Sequence, residues 1–152
     1  MEGKIDKLAF RFFKLFARYE STLKERGYFK EQSGKIIVDW DRFANEVVGP
    51  NFFNDLDGKA ESAKYILENP PMKQKVNSQG KIEWVEVSNN DCSVQALFGH
   101  LRRIRNNLFH GAKFNETYFR PKRSEILLRK GLDILEHYRD WLEEEKKMWL
   151  NH

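Results

Sequence analysis

Apolar residues return at every third or fourth position in three separate stretches of this chain, and that periodicity constrains the fold more than any other feature. In the first stretch, Ile5, Leu8, Phe12, Leu15, Phe16, Tyr19 and Leu23 share one helical face. Lys7, Arg11, Lys14 and Arg18 lie on other faces, and Gly27 is the stop. In SNNDCSVQALFGHLRRIRNNLFHG the stripe is Val94, Leu97, Phe98, Leu101, Ile104 and Leu108, with Asp91 or Ser93 as N-cap and Gly111 where a C-terminal glycine is favoured. The third stretch predicts a long helix from about Ser124 to Trp149. There Leu128, Leu132, Leu135, Tyr138, Leu142 and Trp149 form one stripe, and Leu127, Ile134, Trp141 and Met148 form a second at seven-residue intervals. So wide an apolar face suits a helix at the centre of a bundle or one that shares a subunit interface.

The intervening segments are shorter and more polar. EQSGKIIVDW reads as an extended segment after a Ser-Gly turn. DWDRFANEVVGP is a short helix with Asp39 as its cap and Gly49-Pro50 as its stop. NFFNDLDG reads as a loop, and GKAESAKYILENPP as a short helix closed by Pro70 and Pro71. Across residues 72–87, Val76, Ile82, Trp84, Val85 and Val87 nearly alternate with polar residues about an NSQG turn, which predicts a small β-hairpin inserted between helices. Phe10 falls off the first stripe.

A chain of 152 residues suits one domain, residues 1–152, and is too short for two with separate cores. The twelve Phe, five Tyr and four Trp supply a core despite 33% charged residues, which excludes global disorder. A net charge of +4 permits polyanionic partners without requiring them. The single cysteine, Cys92, cannot form an internal disulfide, and no Cys/His cluster has the spacing of a zinc site, so no metal and no cofactor is expected. Charges interrupt the N-terminal stripe every few residues, so neither a signal peptide nor a membrane span is expected, and a cytoplasmic location follows as an expectation.

RIRNNLFHG, residues 103–111, carries the chemistry. His110 sits where the negative end of a helix dipole favours its protonated form, so it can titrate near neutral pH. Arg105 falls on an otherwise apolar stripe, a costly placement unless an anion or a partner surface meets it. Asn106 can orient an anion by hydrogen bonds. An acid/base group beside a fixed cation suffices for RNA cleavage by the 2′-hydroxyl, in which a base takes the hydroxyl proton, a cation stabilises the phosphorane-like charge and an acid protonates the leaving 5′-oxygen. One histidine does not easily make both proton transfers, and a two-fold dimer would supply a second. Against this stands the ordinary role of a helix-end histidine as a cap of the last carbonyls.

RNNLFHG resembles the Arg-x-x-x-x-His signature of the HEPN superfamily, in which the residue after the arginine is often Asn, Asp or His, as Asn106 is here. FARYESTLKERGYF, RIRNNLFHGAKF and LLRKGLDILEHY are also similar to small bacterial HEPN proteins, while the hairpin insert lies outside the likeness. The resemblance implies an all-α HEPN-like helical bundle, here with a small β-hairpin insert, that forms a homodimer with both signatures lining one cleft. It implies a metal-independent endoribonuclease in a toxin–antitoxin or phage-defence setting, with Arg105 as phosphate clamp, His110 as acid/base and Asn106 as orienting residue. Arg102 and Lys113 are candidate RNA-backbone contacts. With no fused sensor or nucleotidyltransferase domain in the sequence, an antitoxin or other regulator is expected to be a separate polypeptide. Some HEPN proteins bind RNA, a nucleotide or a partner protein without cleaving anything, and that non-catalytic alternative stands beside the enzyme.

Overall fold

The computed structural model describes the backbone of residues 2–88, 90–110, 113–114, 117–118 and 121–150, and the side chains of 3–88, 90–108 and 122–144. The chain opens with α1 (Glu2–Glu25), followed by the antiparallel pair β1 (Phe29–Gln32) and β2 (Lys35–Val38). Next come α2 (Trp40–Phe43), which runs on as a π turn over Ala44–Val48, then α3 (Phe52–Asp55) and α4 (Ala60–Glu68). A second hairpin, β3 (Lys73–Val76) and β4 (Ile82–Val85), leads to α5 (Val94–His110). A short pair, β5 (Lys113–Phe114) and β6 (Thr117–Tyr118), precedes α6 (Pro121–His137) and α7 (Arg139–Leu150). The fold is mainly α, with small two-stranded antiparallel sheets.

α1 organises the core. All seven residues of its apolar stripe are buried, and the helix packs on α5, α6 and α7. It ends in a Schellman motif: the Tyr28 N–H donates to the Leu23 carbonyl at 2.8 Å and the Gly27 N–H to the Lys24 carbonyl at 3.2 Å, with Gly27 at φ +91°. That turn sends the chain back as β1. Asp39 caps α2 by accepting from the Arg42 N–H at 3.2 Å, which places Trp40 and Phe43 in the core. The Trp40 ring lies 4.9 Å from Phe16 and 5.9 Å from Phe98, and Phe43 meets Phe98 edge-on at 5.4 Å. Aromatic contacts thus join α1, α2 and α5. Phe10, off the stripe, is 67% exposed.

The structure departs from the sequence-based expectation at the C-terminal end. Instead of one helix from Ser124 to Trp149 there are two, α6 and α7, separated at Tyr138. Neither proline nor glycine marks the break. The buried Tyr19 hydroxyl donates to the Leu135 carbonyl, and the helix resumes with the Trp141 N–H donating to the Tyr138 carbonyl at 3.1 Å. The second apolar stripe is covered within the chain: Leu127 and Ile134 are buried, and Trp141 packs on Phe43 at 5.3 Å and Tyr28 at 6.2 Å. Over Leu127, Ile134 and Trp141 its width therefore reflects packing within the bundle. Met148 and Trp149 lie outside the described side chains.

Two smaller differences follow from packing. NFFND is helical as α3 because Phe52 is buried. The polar stretch Phe29–Gln32, all exposed, is a strand because it pairs with Lys35–Val38. The hairpin expected within 72–87 is present, with Val76 opposite Ile82. Gly80 at φ +75° and the Asn77 carboxamide, which accepts from the Gln79 and Lys81 N–H groups at 2.9 and 3.0 Å, close its turn. No helix among the described residues is long and apolar enough to cross a membrane.

Candidate functional site

α5 carries the signature residues, and its start is set by Ser93, whose hydroxyl accepts from the Ala96 N–H at 3.1 Å. Asp91 instead accepts from the Ser93 N–H at 2.8 Å, so of the two candidates Ser93 is the cap. Val94, Leu97, Phe98, Leu101 and Ile104 are buried, and Leu108 is partly buried against them. This fixes the rotation of the helix and hence where each polar residue goes.

Arg105 turns toward α1. Its Nη1 lies 3.6 Å from Glu20 Oε1, and its guanidinium carbon lies 5.1 Å from the centre of the Phe16 ring. The other Glu20 oxygen accepts from the Trp40 indole N–H at 3.4 Å. The cation on the apolar stripe is thus met by a carboxylate that is itself tied to the core. Arg105 Nε is buried and finds no partner among the described residues. Both Arg105 and Glu20 keep roughly a quarter of their side-chain surface exposed, 28% and 26%, so the pair borders solvent.

Asn106 and Arg102 are exposed on the outer face of α5. His110 is the last residue of α5 and Lys113 the first of β5, but both side chains lie outside the described residues, as does Gly111. Helical position separates the two signature residues: five residues at about 100° each leave Arg105 and His110 roughly 140° apart around the axis.

A second polar face was not singled out by motif. His100, Arg103 and Asn107 recur at spacings of three and four, beside the apolar stripe. The Asn107 amide donates to the Met72 carbonyl at 2.8 Å. His100 is only 7% exposed; its Nε2 and the Nη1 of Arg103 are buried with no partner among the described residues. Burial, then the charge of Arg103, holds the His100 imidazole below its ordinary value, and Asp91 opposes this in part. The only signal in the sequence was the polar 3–4 spacing, which a solvated face also shows.

The hairpin sits next to this face. Trp84 on β4 joins Met72, Ile104, Asn107, Leu108 and Leu127 around a pocket of about 50 Å³. Arg123, near the start of α6, secures the arrangement by donating to both Glu86 carboxylate oxygens at 2.8 and 3.2 Å and to the Pro70 carbonyl at 2.7 Å. The insert is therefore part of the wall beside RNNLFHG. Among the described residues no group of three or more His, Cys, Asp or Glu is placed to hold a metal ion.

The arrangement offers a guanidinium held at the solvent boundary and, one and a half turns on, a histidine at the helix end, which are parts suited to an anionic ligand. Comparison with family models, with curated proteins and with solved structures returns no match for this chain.

Proposed function

We propose that the chain is a metal-independent endoribonuclease of the HEPN type, acting as a homodimer with Arg105 and His110 as its working residues. The observation that supports this best is the placement of Arg105: a permanent cation on the apolar face of α5, held at the solvent boundary by Glu20 and Phe16, five residues before a helix-end histidine. In the reaction, one histidine takes the proton of the ribose 2′-hydroxyl as its oxygen attacks the adjacent phosphorus. The P–O5′ bond breaks, and a second histidine gives the 5′-oxygen its proton. The guanidinium stabilises the added charge on the phosphoryl oxygens. Products are a 2′,3′-cyclic phosphate and a 5′-hydroxyl. Because the two residues of one copy lie on different sides of α5, a shared cleft needs the second copy to bring a histidine to it. Asn106 orients the phosphate, and Arg102 and Lys113 hold the flanking backbone. The setting that fits is toxin–antitoxin or phage defence, with a separate regulator.

Purified protein incubated with mixed RNAs in EDTA tests this. Cleavage with cyclic phosphate ends is expected, and His110→Ala and Arg105→Ala should each lower it by about a hundredfold or more. Mixing the two variants should recover part of the rate through hybrid dimers. Wild-type cleavage by His110→Ala would sink the reading.

The Glu20 contact favours a second reading, a non-catalytic module that binds RNA, a nucleotide or a protein. The Glu20 carboxylate 3.6 Å from the Arg105 guanidinium offsets part of the charge that a transition state would draw on, while leaving donors to hold a ground-state phosphate. Intact RNA with a mobility shift in the same experiment selects that reading.

A further inference from the structure

On the other side of α1 from the Arg105 contact, a groove of about 210 Å³ runs between this helix and the α6–α7 junction. Its cations are Arg11, Lys14 and Arg18 from α1 and Arg139 from α7; its floor is Leu15 and Leu132, and Glu136 is the carboxylate in its wall. We propose that this groove binds the phosphodiester backbone of single-stranded RNA, an inference that rests on the ribonuclease reading above for the choice of RNA among polyanions.

Part of the charge has a structural role. Arg11 donates to Glu136 and Arg18 to Glu143, which pins α1 to α6 and α7. Each of these guanidiniums carries five N–H donors, so a single carboxylate does not exhaust it. Lys14 lies between them, exposed, and Arg139 is exposed across the groove. Neither has an ion-pair partner among the described residues, and an interhelical ion seam does not account for them.

The layout favours a chain of charges over a single anion. Arg11, Lys14 and Arg18 recur at three and four residues, which sets a row about 10 Å long on one face of the helix. Three of the four cations are arginines, whose planar forks match phosphate oxygens and whose weak hydration lowers the cost of contact. The buried Leu15 and Leu132 beneath them exclude water and strengthen the field. Nothing in this layout selects a base, so sequence-independent binding is the outcome.

A labelled 2′-O-methyl oligoribonucleotide of mixed sequence, read by fluorescence anisotropy across a salt series, tests the proposal. The probe lacks the 2′-hydroxyl nucleophile, so the result is independent of whether the Arg105–His110 site cleaves. Lys14→Ala combined with Arg139→Ala leaves both interhelical ion pairs in place. It should weaken binding about tenfold near 0.1 M salt and flatten the log–log salt slope by about 1.4. The control pair Lys30→Ala and Lys35→Ala, exposed on β1 and β2, removes the same charge and should change the slope by less than half as much. The proposal is overturned if wild-type protein does not bind the probe, if the groove variant binds as wild type, or if the control weakens binding equally. Binding of labelled polyglutamate with no binding of the oligonucleotide overturns it in favour of an acidic protein partner.

Discussion

Two helical glycines should respond to the same substitution with opposite signs. Gly131 lies in the middle of α6, where alanine would gain about 1 kcal/mol of helix propensity. A Cβ there would stand 2.8 Å from Phe12 Cε2 and 3.2 Å from Leu101 Cδ2. Carbon atoms pack best at about 3.5–4.0 Å, so the ring must retreat by close to an ångström. It has little room to do so: Phe12 is fully buried and stacks 5.9 Å from Phe16, which lies 4.9 Å from Trp40. Overpacking of this kind costs about 1–3 kcal/mol, so Gly131→Ala should destabilise by about 1 kcal/mol net, lowering Tm by about 2–4 °C. Gly99 in α5 has nothing within 4 Å of its Cβ position, and Gly99→Ala should stabilise by about 0.8–1 kcal/mol. Urea unfolding with unchanged m-values measures both. In a Phe12→Leu background the cost at Gly131 should shrink as the ring is removed. Stabilisation by Gly131→Ala, or equal effects at both glycines, would refute the close approach of α1 and α6.

His100 should make stability depend on pH. Its folded-state value lies below the ordinary 6.5, so the unfolded chain takes the proton first; its contribution is full above about 6.5 and is lost as pH falls toward the folded value. His100→Gln should flatten the stability–pH curve below neutrality, as measured by urea unfolding at pH 7.5 and below; an unchanged slope refutes the burial argument. The buried Ser62 hydroxyl donates to Asp133 at 2.7 Å and joins α4 to α6. Ser62→Ala should cost about 1–3 kcal/mol, and a thermal midpoint equal to wild type would show that the bond contributes nothing. Ser93→Ala should cost about 0.5–2 kcal/mol through loss of the α5 cap, and Asp91→Ala less; the reverse order would reassign the cap.

Where an element's own periodicity decides its environment, the sequence was a sufficient guide. Every stripe residue of α1 is buried, as are the first five of α5, because a helix that packs one face leaves that pattern wherever it sits. The break at Tyr138 was not legible: EHYRDW has no breaker, and Tyr19, from the opposite end of the chain, takes the Leu135 carbonyl. The helix α3 and the strand β1 were hidden for the same reason, since a buried Phe52 and a facing strand define them rather than any local pattern. At the candidate site the misplaced Arg105 was visible as a cation on an apolar stripe. Its partner Glu20 was not, because on α1 it reads as one more exposed charge. His100 and Arg103 were missed because a polar pair at helical spacing has the same appearance whether it is solvated or enclosed.

The dependence of α1 on α6 and α7 also has a consequence during synthesis. Tyr19 and Leu135 are 116 residues apart, which at about 5–20 residues per second is a delay of roughly 6–23 s. Throughout that interval the stripe of Phe12, Phe16 and Tyr19 is made but lacks α6 and α7, which complete the cover begun by α2 and α5. A nascent chain of this kind offers part of a long apolar helix face to whatever waits at the ribosome exit, and a stalled product ending before α6 leaves exposed the part that α6 and α7 cover. Degradation and chaperone capture should therefore discriminate sharply between chains that stop just short of α6 and chains that include it.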